Sequence, residues 1–224
     1  MRLRTALELQ EYLDYELAWR VREIDYTKTA VQRAGGNAQL AVARAGLALL
    51  YAHWEGFVKG ASEALLNFIL HRRLKYRQLR PCFLAHGLAR HLDLLSASHR
   101  HDRRLESVQF VVEKLDEQAN FPWREVIRTQ GNLSSEVFRS VVAAIAVDPA
   151  RYESRYNWID KVLLARRNRI AHGERMEFSA SEFPSLADET LTLLRWFKTD
   201  IENSVATKAY LVATHPASFP SINP

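Results

Sequence analysis

Along most of the chain, apolar residues recur every three or four positions rather than every second one, the spacing of a helix face. Leu7, Leu9, Leu13, Leu17, Val21 and Ile24 form such a stripe and predict a first helix from about Arg4 to Arg33. Gly35 and Gly36 close it, and Asn37 is placed to cap a second helix, which together make an αα-hairpin. The second helix, from about Asn37 to His71, differs in kind. Its stretch AGLALLYAHW, between Arg44 and Glu55, is apolar on every face, as expected of a helix at the centre of a bundle. Gly60 and Ala61 leave room for a neighbour to approach closely.

Beyond it the pattern loosens. His71 to Arg104 is basic and irregular, with short helical pieces interrupted at Pro81, and a further helix is predicted from about Leu105 to Gln118. In QGNLSSEVFRSVVAAIAVDP, Ser134 or Ser135 caps a helix that stops before Pro149. Another helix runs from about Tyr152 to His172, with Gly173 where a C′ glycine belongs, and a last one from about Ser185 to Tyr210. The end, THPASFPSINP, reads as a loose tail. The expectation is an all-α helical bundle, one domain over residues 1–212 and a tail over 213–224, built on a long central antiparallel helix pair with additional short helices.

Composition bounds what such a bundle can be. The 47% apolar and 25% charged fractions are those of a folded globular chain. No apolar run approaches the ~18 residues of a membrane span, and the N-terminus has no signal-peptide core. The single cysteine, Cys82, excludes an intramolecular disulfide, and the expected location is the cytoplasm. The chain carries 24 Arg against 7 Lys, with a formal charge of +5. Arginine's planar fork suits phosphates, so the skew points to a nucleic acid or nucleotide, although GC-rich codon usage produces the same bias. No glycine-rich phosphate loop is present, which argues against an ATPase or dinucleotide enzyme. His99, His101 and Asp102 lack a cysteine or an i, i+4 partner, so neither a metal site nor a cofactor is expected.

The densest chemistry lies in ARRNRIAHGE, Ala165 to Glu174. Projected at about 100° per residue, Arg166 falls in the apolar stripe of Trp158, Ile159, Val162, Leu163 and Ile170, with Arg167 on its flank. Asn168 and His172 share another face. A guanidinium on an apolar stripe needs a buried partner, and Glu55, the first carboxylate after the uncharged run of the second helix, is the natural candidate. Lys59, at i+4, is the alternative partner of Glu55. The plain reading of the whole stretch is that cations gather at a helix C-terminus for its dipole while His172 and Gly173 end it. The chemical reading is that Arg167, Asn168 and His172 set a phosphate-binding fork beside a group able to exchange a proton near neutral pH.

RNRIAH, from Arg167 to His172, resembles the hallmark of the HEPN superfamily of all-α nucleotide-binding and ribonuclease domains. WEGF at Trp54 to Phe57, GNLSSEVF at Gly131 to Phe138 and the closing RNRIAHGE resemble in order the MAE-type HEPN-like nuclease branch. The resemblance implies a homodimer with a composite active site and metal-independent RNA cleavage by 2′-hydroxyl attack. In it His172 is the base or acid, Arg167 stabilises the phosphate charge, Asn168 orients, and Glu55 and Arg166 support. It also implies a toxin or defence effector with a possible cognate antitoxin, or alternatively a module that only binds nucleotide, RNA or protein. Arg169, Arg72 and Arg73 are further candidates for contacts to an RNA backbone.

Overall fold

The computed structural model describes residues 2–96, 101–129, 131–175 and 177–212, and among them no β-strand occurs. The helices are α1 (Ala6–Arg33), α2 (Gly36–His71), α3 (Pro81–Ser96), α4 (His101–Lys114), the single turn α5 (Trp123–Val126), α6 (Ser135–Ala144), α7 (Tyr156–Trp158), α8 (Ala165–Ala171) and α9 (Phe183–Ala206). No helix among the described residues is long and apolar enough to cross a membrane. The proposed tail over 213–224 and His99 lie outside the described residues, as does the side chain of His101.

α1 opens with a capping box: the Thr5 hydroxyl accepts the Glu8 N–H and the Glu8 carboxylate accepts the Thr5 N–H, both at 3.1 Å. Gly35, not Asn37, is the N-cap of α2, and Gly36 takes a φ of +54°, which only a residue without Cβ adopts freely. The short link makes α1 and α2 antiparallel. Gln39 donates to the Val31 carbonyl at 3.0 Å near the link, and Gly60 lies opposite Tyr12 at the far end. α9 lies on both, tied to α1 by Lys28–Asp188 at 2.7 Å and Lys198–Asp14 at 2.9 Å.

α2 buries residues on every side, Leu47, Leu50, Trp54, Phe57, Val58 and Leu65 among them, as its unbroken apolar pattern requires. The close approach falls at Gly46 rather than at Gly60: a Cβ on Gly46 would sit 2.6 Å from the Phe183 ring, against 3.6 Å to the Tyr12 hydroxyl at Gly60. Phe138 of α6 reaches Trp54, Tyr152 and Phe197 at ring-centroid distances of 5.2, 4.8 and 5.8 Å. That cluster fixes α6 against α2, α9 and the segment ahead of the motif helix; rings buried so completely contribute about 2–3 kcal/mol each. Pro81 begins α3 instead of interrupting a helix, since the first turn has no use for its missing N–H.

Candidate functional site at the motif helix

The segment that carries RNRIAH is not a uniform α-helix. A 3₁₀ stretch (Ala150–Arg155) leads into α7, a π-helical stretch covers Ile159–Leu164, and α8 follows. A π turn takes up an extra residue, and one extra residue rotates everything after it by about 100°. Arg167 therefore faces where straight projection puts Arg166. α8 ends in a Schellman motif: Gly173, at φ +71°, donates to Ile170, and Glu174 donates to the Arg169 carbonyl at 2.9 Å. The expected C′ glycine is in place.

The rotation overturns the predicted ion pair. Arg166, its side chain 25% exposed, turns to Glu182 at 2.9 Å and lies 5.5 Å from the Phe178 ring centroid. Glu182 also accepts the Ser179 N–H at 2.9 Å, and that bond, reinforced by Arg166, holds its carboxyl below the usual range. Glu55 is half-buried and pairs with neither Arg166 nor Lys59 among the described residues. Its charge acts instead on Tyr51, one turn earlier, whose hydroxyl is pushed up first of all by burial.

Arg167 is the inward arginine, and among the described residues no carboxylate pairs with it. Its guanidinium stacks on the Tyr51 ring, 3.9 Å from the centroid, and Nη2 donates to the Gly131 carbonyl. Its Nε is buried without a partner. The Tyr51 hydroxyl accepts the Leu133 N–H at 2.5 Å, which closes a ring through α2, the 131–133 segment and α8. α2, the start of GNLSSEVF and the motif helix thus meet at one guanidinium. A second tie comes from Asp160 in the π stretch, which accepts from the Ser135 N–H at 2.7 Å and from its hydroxyl at 2.6 Å. The carboxylate sits at the positive end of the α6 dipole, while Ser134 caps the same end by accepting the Val137 N–H at 3.2 Å.

Asn168 is half-buried and His172 is exposed, one turn apart, with the His172 N–H donating to the Asn168 carbonyl at 2.9 Å. Arg169 bends along its own terminus, meeting Glu174 at 3.3 Å and the Arg175 carbonyl at 2.6 Å. Arg44 fixes the far end of the motif by donating to the Glu174 carbonyl at 2.9 Å. α8 therefore crosses α2 between Tyr51 and Arg44. Arg72 and Arg73, both exposed, lie at the other end of α2, 21 residues beyond Tyr51 and so about 30 Å away along the axis. The structure does not bring them to the motif. Arg72 instead lies 5.8 Å from the Phe68 ring centroid.

Tyr51, Gly131, Asp160, Glu182 and Arg44 are the supporting residues that sequence reasoning did not single out. Tyr51 lies three residues before WEGF and Gly131 opens GNLSSEVF, so proximity to those segments is the one signal they carry. Among the described residues, no three His, Cys, Asp or Glu side chains gather as a metal would need. No match was found among curated proteins or among solved structures. A family model described as HEPN_MAE_28990-like HEPN matches residues 9–210. With most of its length covered by that match, the chain belongs to the HEPN_MAE_28990-like HEPN family.

Proposed function

We propose that the protein is a metal-independent endoribonuclease. The observation that carries the reading is an exposed His172 on the same face as Asn168, at the end of a helix whose arginine is immobilised by two other segments. In the reaction, His172 takes the proton of a ribose 2′-hydroxyl. The 2′-oxygen bonds to the adjacent phosphorus, the P–O5′ bond breaks, and the leaving oxygen is protonated. The products are a 2′,3′-cyclic phosphate and a 5′-hydroxyl end. Arg167 stabilises the charge that builds on the phosphate, and Asn168 holds His172 or the substrate.

The step needs a base and an acid at once, whereas one chain offers a single histidine in the motif. A homodimer that sets two His172 side chains across one cleft supplies both. A role as toxin or defence effector, with a protein antitoxin that covers the cleft, fits such an activity. The test is cleavage of RNA in EDTA by the purified protein, and its loss in His172→Ala.

A second reading has one observation in its favour. Arg167 is already occupied by the Tyr51 ring and the Gly131 carbonyl, which suits a module that binds nucleotide, RNA or protein without cutting. Tight RNA binding by a well-folded protein that forms no product supports it over the nuclease.

A further inference from the structure

The Gly131 carbonyl that holds Arg167 also borders a cleft of about 500 Å³, lined by Lys59, Arg124, Glu125, Ile127, Arg128, Thr129 and Gly131 itself. Lys59, Arg124 and Arg128 are exposed, and the lining sets three cations against one carboxylate. Six arginines elsewhere pair with carboxylates: Arg20 with Glu16, Arg77 with Asp116, Arg151 with Asp200, Arg155 with Glu189, Arg166 with Glu182 and Arg169 with Glu174. Among the described residues, none of the three cleft cations has a carboxylate within ion-pair distance. Glu63, one turn beyond Lys59 on α2 and outside the lining, feels Lys59 and Arg124, but burial pushes its carboxyl up.

Two of the cations are also held in place. Arg128 Nε donates to the Glu125 carbonyl at 3.2 Å, and the Arg124 guanidinium lies 4.8 Å from the Trp123 ring centroid. Lys59 stands two turns beyond Tyr51 on α2, about 12 Å along the axis. The cleft therefore continues the line from His172 through Arg167 and past Gly131. A larger cleft, about 850 Å³ between Arg80, Asp148, Arg151 and Asp200, balances its charges and does not border the motif.

We propose that Lys59, Arg124 and Arg128 form a subsite for the sugar-phosphate backbone of single-stranded RNA, taking about three phosphates to one side of the scissile bond. The inference rests on the reading of the motif as an RNA site. It assigns these three residues to affinity and its salt dependence, and leaves bond breaking to His172.

The test uses the full chain and a single-stranded 2′-O-methyl oligoribonucleotide of a dozen residues, which cannot be cleaved because its 2′-oxygens are blocked. Binding is followed by fluorescence anisotropy across a salt series. Three phosphate contacts carry a slope of about 2 in log K against log salt. The Lys59→Gln/Arg124→Gln/Arg128→Gln variant should lose that slope and about a hundredfold in affinity near 50 mM salt. Lys59→Arg/Arg124→Lys/Arg128→Lys, which keeps the charges, should restore most of both. A neutralised variant that melts with the wild type yet keeps its slope overturns the proposal, as does a charge-retaining variant no better than the neutral one. Wild-type protein that does not bind the probe overturns it too. Salt-dependent binding without cleavage of the natural RNA removes the nuclease reading and leaves the subsite standing.

Discussion

Arg167→Ala separates a structural role from a chemical one. In the structure the guanidinium is stacked 3.9 Å from the Tyr51 centroid and bonded to the Gly131 carbonyl. A cation over a partly desolvated ring contributes about 1–2 kcal/mol, and a hydrogen bond from a charged donor about 1.5–3 kcal/mol. Two effects offset part of this: Gly131 is exposed, so water takes up its carbonyl, and the buried unpartnered Nε disappears with the side chain. The net loss is about 2–3 kcal/mol. In a chain of this size each kcal/mol moves Tm by about 2–4 °C, so the variant should melt roughly 5–10 °C below the wild type. His172 is exposed and, among the described residues, bonds only through its backbone, so His172→Ala should stay within about 0.5 kcal/mol while losing cleavage. Arg167→Lys keeps the charge without the planar stack and should fall between them. Thermal unfolding followed by circular dichroism reads all three. An Arg167→Ala protein that melts within about 2 °C of the wild type would refute the view that this arginine joins the three segments.

Asp160→Ala removes the acceptor for both Ser135 groups and the charge at the α6 N-terminus. It should cost about 2–3 kcal/mol in urea denaturation and should expose the α6 amides to hydrogen exchange; unchanged protection contradicts this. Gly46→Ala places a methyl 2.6 Å from the Phe183 ring and 2.8 Å from Thr27, a clash expected to destabilise by about 1–3 kcal/mol, so a neutral denaturation midpoint refutes the close contact between α2 and α9. The third expectation concerns acid. His53 is buried between Arg20 and Glu23, with Nε2 3.0 Å from Glu23 Oε2 but out of hydrogen-bond alignment. Burial holds its pKa down, Glu23 opposes and Arg20 adds to the shift, and burial also lowers His86, whose Nε2 donates to the Ala144 carbonyl at 2.7 Å. Folded-state values below the unfolded one mean that the unfolded chain takes up protons first. Stability is therefore full above about pH 6.5 and falls below it, by up to about 1.4 kcal/mol per pH unit for each histidine. His86→Gln should remove its share of the slope between pH 6.5 and 5; an equally steep profile would show that His86 does not contribute.

The long-range architecture was legible because its determinants are local and repeated. α2 is apolar on every face through AGLALLYAHW, and that pattern alone places it at the centre. Ser134 and Gly173 announce the ends of α6 and α8 through cap chemistry that needs no tertiary information. The motif helix could be located from the sequence, but the contacts of its arginines could not. The π stretch at Ile159–Leu164 has no signature in residue type, yet it turns Arg166 towards Glu182 and Arg167 towards Tyr51. That exchange is why Glu55 was the wrong partner for Arg166. Arg167 is satisfied by a ring and a backbone carbonyl, and neither leaves a charge pattern to read. Arg72 and Arg73 were plausible by composition alone, and the straight run of α2 carries them away from the motif.

The most direct measurement is the end group left on RNA after incubation with the purified protein in EDTA, compared with His172→Ala at equal concentration. The account predicts fragments ending in a 2′,3′-cyclic phosphate from the wild type and intact RNA from the variant. Cleavage that depends on added metal, fragments with other ends, or unchanged cleavage by His172→Ala would contradict it.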